Sequence, residues 1–183
     1  QSDMLQEAQI PIVYHDEMRD TKGKLRVLSL FSGCGGMDLG FEGMFIANRK
    51  SFPQDSLYID HAINKNWVML KKTKFKTVFA NDILNEAEVA WTTYMSRFGY
   101  QPEMYHNISI VDLVKMHKQG ADIFPKNIEV VTGGFPCQDF SVAGKRKGFN
   151  SDKDDYGKKR EGDEPSEETR GKLYYWMKQV IAT

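Results

Sequence analysis

The sequence holds two cysteines, Cys34 and Cys137, and each sits among glycines. Cys137 closes the run Gly133-Gly134-Phe135-Pro136-Cys137, directly after the apolar stretch Ile128-Glu129-Val130-Val131-Thr132. A lone cysteine is most often an inert buried hydrophobe. A Gly-Gly-Phe-Pro turn at a strand end, however, is a costly backbone to use for packing alone. A free thiol with a pKa near 8.5 is only about 3% thiolate at pH 7. A helix N-terminus, or the Lys145-Arg146-Lys147 cluster, would raise that fraction. The local residues therefore favour a nucleophilic thiol and leave a core cysteine open. Cys34 lies in Ser32-Gly33-Cys34-Gly35-Gly36, a glycine-rich turn through which a backbone can approach a ligand closely. Asp38 stands where the G-x-G-x-x-G dinucleotide pattern needs its third glycine, which counts against a nicotinamide enzyme. With no Cys-x-x-Cys pair, thiol-redox chemistry is also disfavoured. Asp82 can accept hydrogen bonds from ribose hydroxyls or simply start a helix. His15, His61, His106 and His117 are scattered without ligand spacing, so no metal site is expected.

These groups need a frame to bring them together. Leu25–Phe31, Thr77–Ala80, Met104–His106 and Ile128–Thr132 read as strands. Ala87, Ala90, Trp91, Tyr94, Met95 and Phe98 form a helical stripe, with Asn85 as N-cap and Gly99 as stop. Ser109 caps a second helix through Ile110, Leu113, Val114 and His117, and Leu173, Trp176, Met177 and Val180 mark a third. Alternating strands and helices argue for a doubly wound α/β sheet. Ligands in such sheets sit outside the carboxyl ends of the strands. Phe31–Gly36, Asn81-Asp82, His106-Asn107 and Gly133–Cys137 would all share that edge.

The chain has 183 residues, 40% hydrophobic and 27% charged, which suits one globular domain. No apolar run approaches a membrane span. The acidic stretch 1–23 lacks the apolar segment of a signal peptide, so a reducing cytoplasm is expected. Formal net charge is zero, so nucleic-acid binding would need a local patch. Residues 48–76 carry seven Lys or Arg against Asp55 and Asp60, either as a solvated surface or as a phosphate-binding face. Ile59, Ile63, Trp67 and Leu70 are spaced for a helix within that stretch. In residues 145–170, 16 of 26 side chains are charged, a composition that cannot bury a core and reads as a mobile loop.

Taken together, Leu28-Ser29-Leu30-Phe31-Ser32-Gly33-Cys34-Gly35-Gly36-Met37-Asp38-Leu39-Gly40-Phe41 and Gly133-Gly134-Phe135-Pro136-Cys137-Gln138-Asp139-Phe140-Ser141-Val142-Ala143-Gly144 closely resemble the cytosine-C5 DNA methyltransferases, specifically the bacterial restriction–modification type. Phe79-Ala80-Asn81-Asp82-Ile83 resembles that family's second cofactor motif, and Thr169-Arg170-Gly171-Lys172-Leu173 its Arg-Gly-x-Leu element. The resemblance implies a Rossmann-like fold, S-adenosylmethionine as methyl donor and S-adenosylhomocysteine as product. It places Phe31 against the adenine and the Ser32, Gly33, Gly35 and Gly36 backbone around the methionine part. It gives Asp82 the ribose and Ile83 the adenine face, with Leu173 nearby and Gly134 and Phe135 lining the pocket. Asn107-Ile108 stands where the family usually offers an aspartate to the adenine amino group. It makes Cys137 the nucleophile toward C6 of a cytosine flipped out of double-stranded DNA. Gln138, Ser141 and Arg170 are the expected contacts to the DNA backbone.

The resemblance divides the chain into an extension (1–23), a cofactor and nucleophile core (24–144), the charged loop (145–170) and a C-terminal helix (171–183). The family's Glu-Asn-Val motif, target-recognition region and last cofactor motif are not among these residues. The expectation is an incomplete fold, a fragment or one subunit of a split enzyme, inactive without the remainder or a partner polypeptide. The alternative is a binding module that keeps the fold without catalysis.

Overall fold

The computed structural model describes residues 23–135, 158 and 172–183. Four parallel strands form the main sheet: β1 (Leu25–Leu30), β5 (Phe75–Asp82), β6 (Tyr105–Asn107) and β7 (Val130–Gly133), in the order β6-β5-β1-β7. Central β1 and β5 are buried along most of their length, with apolar Val27, Leu28, Leu30, Val78, Phe79 and Ala80 at their centres, because parallel strands are covered on both faces. Leu28, Leu30 and Phe79 face α3 (Ile110–Lys118) and α4 (Leu173–Ile181), burying Ile110, Leu113, Val114, Leu173, Trp176 and Val180. On the other face Val78 and Ala80 meet Trp91 and Met95 of α2 (Asn85–Met95), with Tyr100, Met104 and Tyr105. Helices on both sides of a parallel sheet make the fold doubly wound and Rossmann-like, as the alternation predicts.

Local chemistry sets the element ends. Ser109 caps α3 by accepting the Val111 N–H, and Gly99 takes φ 80° after the 3₁₀ turn that follows α2. Asn85 is the first residue of α2 rather than its cap. The cap position is Leu84, which has no side chain to serve, and Asp82 accepts from the Ile83 and Leu84 N–H groups instead.

The helix expected within 48–76 is absent. After α1 (Gly36–Glu42), the chain builds a separate antiparallel sheet in the order β2-β4-β3, from β2 (Ile46–Asn48), β3 (Ile59–Ala62) and β4 (Trp67–Leu70). Asn64 decides the matter: its side-chain oxygen accepts the Asn66 and Trp67 N–H groups and closes a turn. Ile59 then pairs with Leu70 across the hairpin, so their helical spacing is coincidental. The insert joins the main sheet at its amino edge, where the Leu25 N–H donates to the Lys74 carbonyl and Gly43 bridges to Lys72. Among the described residues no helix is long and apolar enough to cross a membrane. Residues 1–22 and, apart from Lys158, the charged stretch 145–170 lie outside the described residues.

Candidate cofactor cleft at the carboxyl edge

The sheet order reverses between β1 and β7, the point at which open α/β sheets bind ligands. Leu30 at the end of β1 pairs with Gly133 at the end of β7, so the glycine turn and the Gly-Gly-Phe-Pro run leave the sheet side by side. Gly133 lets the two segments approach closely. A Cβ on it would meet Met177 Sδ at 3.0 Å and the Leu30 carbonyl oxygen at 3.3 Å.

The turn itself is held from several sides. Phe31 takes φ 53°, a strained conformation for a bulky residue, and packs on the core. The Ser32 N–H donates to the Asn81 carbonyl (2.8 Å), and Asn81 N–H returns a bond to Ser32 Oγ (3.2 Å). The Gly33 N–H donates to Asp82 Oδ2 (3.0 Å), while Tyr105 hydroxyl donates to the Gly33 carbonyl (3.1 Å). Burial and nearby carboxylates push the Tyr105 hydroxyl far above its ordinary range, so it remains a donor. Asp82 therefore fulfils one of the two roles open to it, fastening the turn and starting α2. Its three recorded bonds still leave acceptor capacity on a carboxylate.

Gly35 has φ 87°, and a Cβ there would lie 2.6 Å from Trp91 Cδ1. The same indole donates to Asp38 Oδ2 at 2.7 Å. Asp38 is fully buried, and burial pushes its carboxyl above the ordinary range, against opposing bonds from Ser29 and Trp91. A raised folded-state pKa means that Asp38 favours folding below the unfolded value of 3.8, and this contribution is lost as pH rises through the folded value. Asp38→Asn keeps an acceptor for Trp91 without the charge. It is expected to match or exceed the parent's stability at pH 7 and to flatten the acid side of its stability profile. Urea unfolding from pH 3 to 7 measures this; an unchanged pH slope would show that Asp38 does not titrate with folding.

Asn81, buried, laces β5 to β6 by donating to the His106 (2.9 Å) and Ile108 (2.7 Å) carbonyls. This fixes Asn107 at the same edge. The Asn107 side-chain nitrogen is buried and has no hydrogen-bond partner among the described residues, an uncommon state for a polar atom. His106 stacks on Phe79 with ring centroids 4.2 Å apart. Burial lowers its pKa to about 4, so it is neutral near pH 7.

Of the residues expected at the site, Phe31, Ser32, Gly33, Gly35, Gly36, Asp82, Ile83, Asn107, Ile108, Gly134 and Phe135 gather at this edge. Leu173 is buried in the core cluster with Leu28 and Leu30. Cys137, Gln138, Ser141 and Arg170 lie outside the described residues. Asn81 lies in the second cofactor motif, Trp91 in the helical stripe and Tyr105 in a strand, but none of the three is among the expected site residues, although all three fasten the turn and its edge. Asp38 was noted only for not being glycine, although its spacing from Gly35 was visible. No group of three or more metal-ligating side chains occurs among the described residues.

Fold and edge together define a Rossmann-like α/β domain whose glycine turn, acidic strand end and Asn107 amide meet at one sheet edge. The chain belongs to the C-5 cytosine-specific DNA methylase family, whose sequence pattern matches residues 25–156. It is 35% identical over 126 residues to type II methyltransferase M.BsuRI of Bacillus subtilis, covering 67% of this chain and 25% of that protein. It is 33% identical over 140 residues to type II methyltransferase M.BspRI of Lysinibacillus sphaericus, covering 73% and 28%. With type II methyltransferase M.HgiGI of Herpetosiphon aurantiacus it shares 31% over 122 residues, 67% of each. The chain spans about a quarter of the length of the first two. The family match includes Cys137 and every expected cofactor residue except Leu173.

Proposed function

We propose that this chain is the cofactor-binding and nucleophile-bearing part of a bacterial DNA cytosine-C5 methyltransferase of a restriction–modification system, working on chromosomal DNA in the cytoplasm. The observation that carries the reading is the pairing of Leu30 with Gly133, which brings the glycine turn and the strand leading to Cys137 to one edge. The residues present fit S-adenosylmethionine: glycines that allow close approach, a carboxylate with spare acceptor capacity and a buried amide without a partner. When bound, that cofactor supplies the methyl group. Ser32 to Gly36 would hold its methionine part, Asp82 the ribose, and Asn107 with Phe31 and Ile83 the adenine. The Cys137 thiolate would add to C6 of the flipped cytosine and make C5 nucleophilic. After C5 gains the methyl group, it loses its proton and the thiolate leaves, restoring the ring.

Gln138, Ser141 and Arg170 would contact the DNA backbone. The glutamate that protonates cytosine N3 in the family is not among these 183 residues. We infer that it comes from further sequence or from a second polypeptide. A non-catalytic binding module is the weaker reading, because it has no use for a thiol in that position.

Isothermal titration of the chain with S-adenosylmethionine tests the platform directly. Asn107→Leu should weaken binding about tenfold, since losing a matched hydrogen bond costs on the order of 1–1.5 kcal/mol. Folding stability should hold or rise, because the substitution removes a buried polar group that lacks a partner. Equal affinity in the two proteins would remove Asn107 from the site, and no binding by the parent even with a polypeptide bearing the missing family motifs would sink the proposal.

A further inference from the structure

The insert leaves one sheet face open. Across β2, β4 and β3 the register sets Ile46 beside Met69 and His61, and Asn48 beside Trp67. Alternation puts these side chains on one face and Val68 and Leu70 on the other. Val68 and Leu70 are buried, whereas Ile46 is 55% and Trp67 44% exposed, with Ile63 equally open at the turn. Lys50, Lys65, Lys71, Lys72 and Lys74 are exposed on the same insert. The insert joins the amino edge of the sheet, whereas the cofactor residues occupy the carboxyl edge, with the whole of β5 (Phe75–Asp82) between them. At about 3.3 Å per residue that is over 20 Å, so the insert stands at the opposite edge of the sheet from the cofactor residues.

The chain itself supplies a matching occupant. Residues 1–22 hold Asp3, Glu7, Asp16, Glu17 and Asp20 against Arg19 and Lys22. Between these acids lies Ile10-Pro11-Ile12-Val13-Tyr14, apolar and rich in strand-forming types. The attachment point is also fixed. Lys24 Nζ donates to the Thr73 carbonyl (3.0 Å), and the Leu25 N–H to that of Lys74, so the extension starts at the foot of the insert. A tether of 22 residues has an end-to-end reach of roughly 25 Å, enough to span the small sheet. It holds the segment at an effective concentration on the order of millimolar. We propose that residues 1–22 dock on the exposed Ile46–Trp67–Ile63 face of the insert, their acids on its lysines and Ile10 to Tyr14 over its apolar side chains.

Trp67 is a built-in reporter, because the other two tryptophans, Trp91 and Trp176, are buried. In the full chain, acrylamide should quench Trp67 weakly. Ile12→Asp with Tyr14→Ser should raise its quenching constant about twofold and shift emission to the red, while unfolding of the domain stays unchanged. Salt should act in the same direction by screening the charges. Zero-length carbodiimide coupling on a mixture of isotopically light and heavy chain identifies the occupant. The proposal expects Asp3 or Glu7 joined to Lys50 or Lys65 within one chain. Couplings confined to Asp16–Asp20 and the adjoining lysines would reflect the tether alone and overturn it. Light–heavy couplings would assign the face to a second copy and overturn it as well. Equal quenching in parent and variant would leave the face uncovered by this segment.

Discussion

Cys137→Ser is expected to abolish covalent capture of DNA containing 5-fluorocytosine, and methyl transfer with it, by about four orders of magnitude or more. Losing the nucleophile from a unit that acts covalently costs on this scale, because the remaining groups cannot replace the bond it forms. Serine is nearly isosteric but offers a hydroxyl that ionises far less readily than a thiol, so geometry survives and nucleophilicity does not. Fluorine at C5 cannot leave as a proton does, so the adduct accumulates and can be read by mass spectrometry. The assay supplies S-adenosylmethionine and a polypeptide bearing the Glu-Asn-Val and target-recognition sequences. Cofactor affinity should be unchanged in the serine variant, which separates loss of the nucleophile from damage to the platform. The other cysteine provides an internal control. Cys34 is exposed in the glycine turn, and Cys34→Ser should still form the adduct. If Cys137→Ser traps DNA while Cys34→Ser does not, the nucleophile has been assigned to the wrong cysteine. If neither single variant loses the adduct, the thiol mechanism fails for this chain.

How much of this was legible depended on the range of the interaction involved. The parallel strands announced themselves because burial on both faces leaves an apolar run, and β1 and β5 lie close to their expected positions. Ser109 and Gly99 marked helix ends through short-range chemistry that a sequence shows directly. The insert misled because Ile59, Ile63, Trp67 and Leu70 fit a helical period, while the deciding bonds came from Asn64 to the backbone. A side chain that closes a turn carries no periodic signal. The site residues were legible through glycines and the resemblance they support, but their fastening was not. Asn81 reaches across to β6, and Trp91 reaches back to Asp38, contacts whose partners lie 25 and 53 residues away. Pairings at that separation follow only from the sheet order.

Trp91→Ala is expected to cost about 3–5 kcal/mol, a large share of the 5–15 kcal/mol that holds a typical domain folded. Trp91 is fully buried, rests near Tyr100 and Tyr105, and donates to Asp38. Truncation opens a cavity and also strips a buried carboxyl of a donor. The consequence reaches the cofactor because the same indole forms the wall against which Gly35 is set. Gly35→Ala approaches that contact from the other side. Its Cβ would have to share space with Cδ1 at 2.6 Å while holding a left-handed backbone. Conformation alone costs an L-residue about 1–2 kcal/mol there, and the steric conflict adds to it. The two effects differ in what relieves them. Removing the indole relieves the clash and leaves the backbone penalty, so the double variant Gly35→Ala/Trp91→Ala should be less destabilised than the sum of the singles. A coupling of at least about 0.5 kcal/mol in urea unfolding is expected for residues in direct contact. Strict additivity would mean that Gly35 is required by its backbone angle alone. Coupling would show that Trp91 shapes the turn, and cofactor affinity should then fall in Trp91→Ala even under conditions where the variant is fully folded.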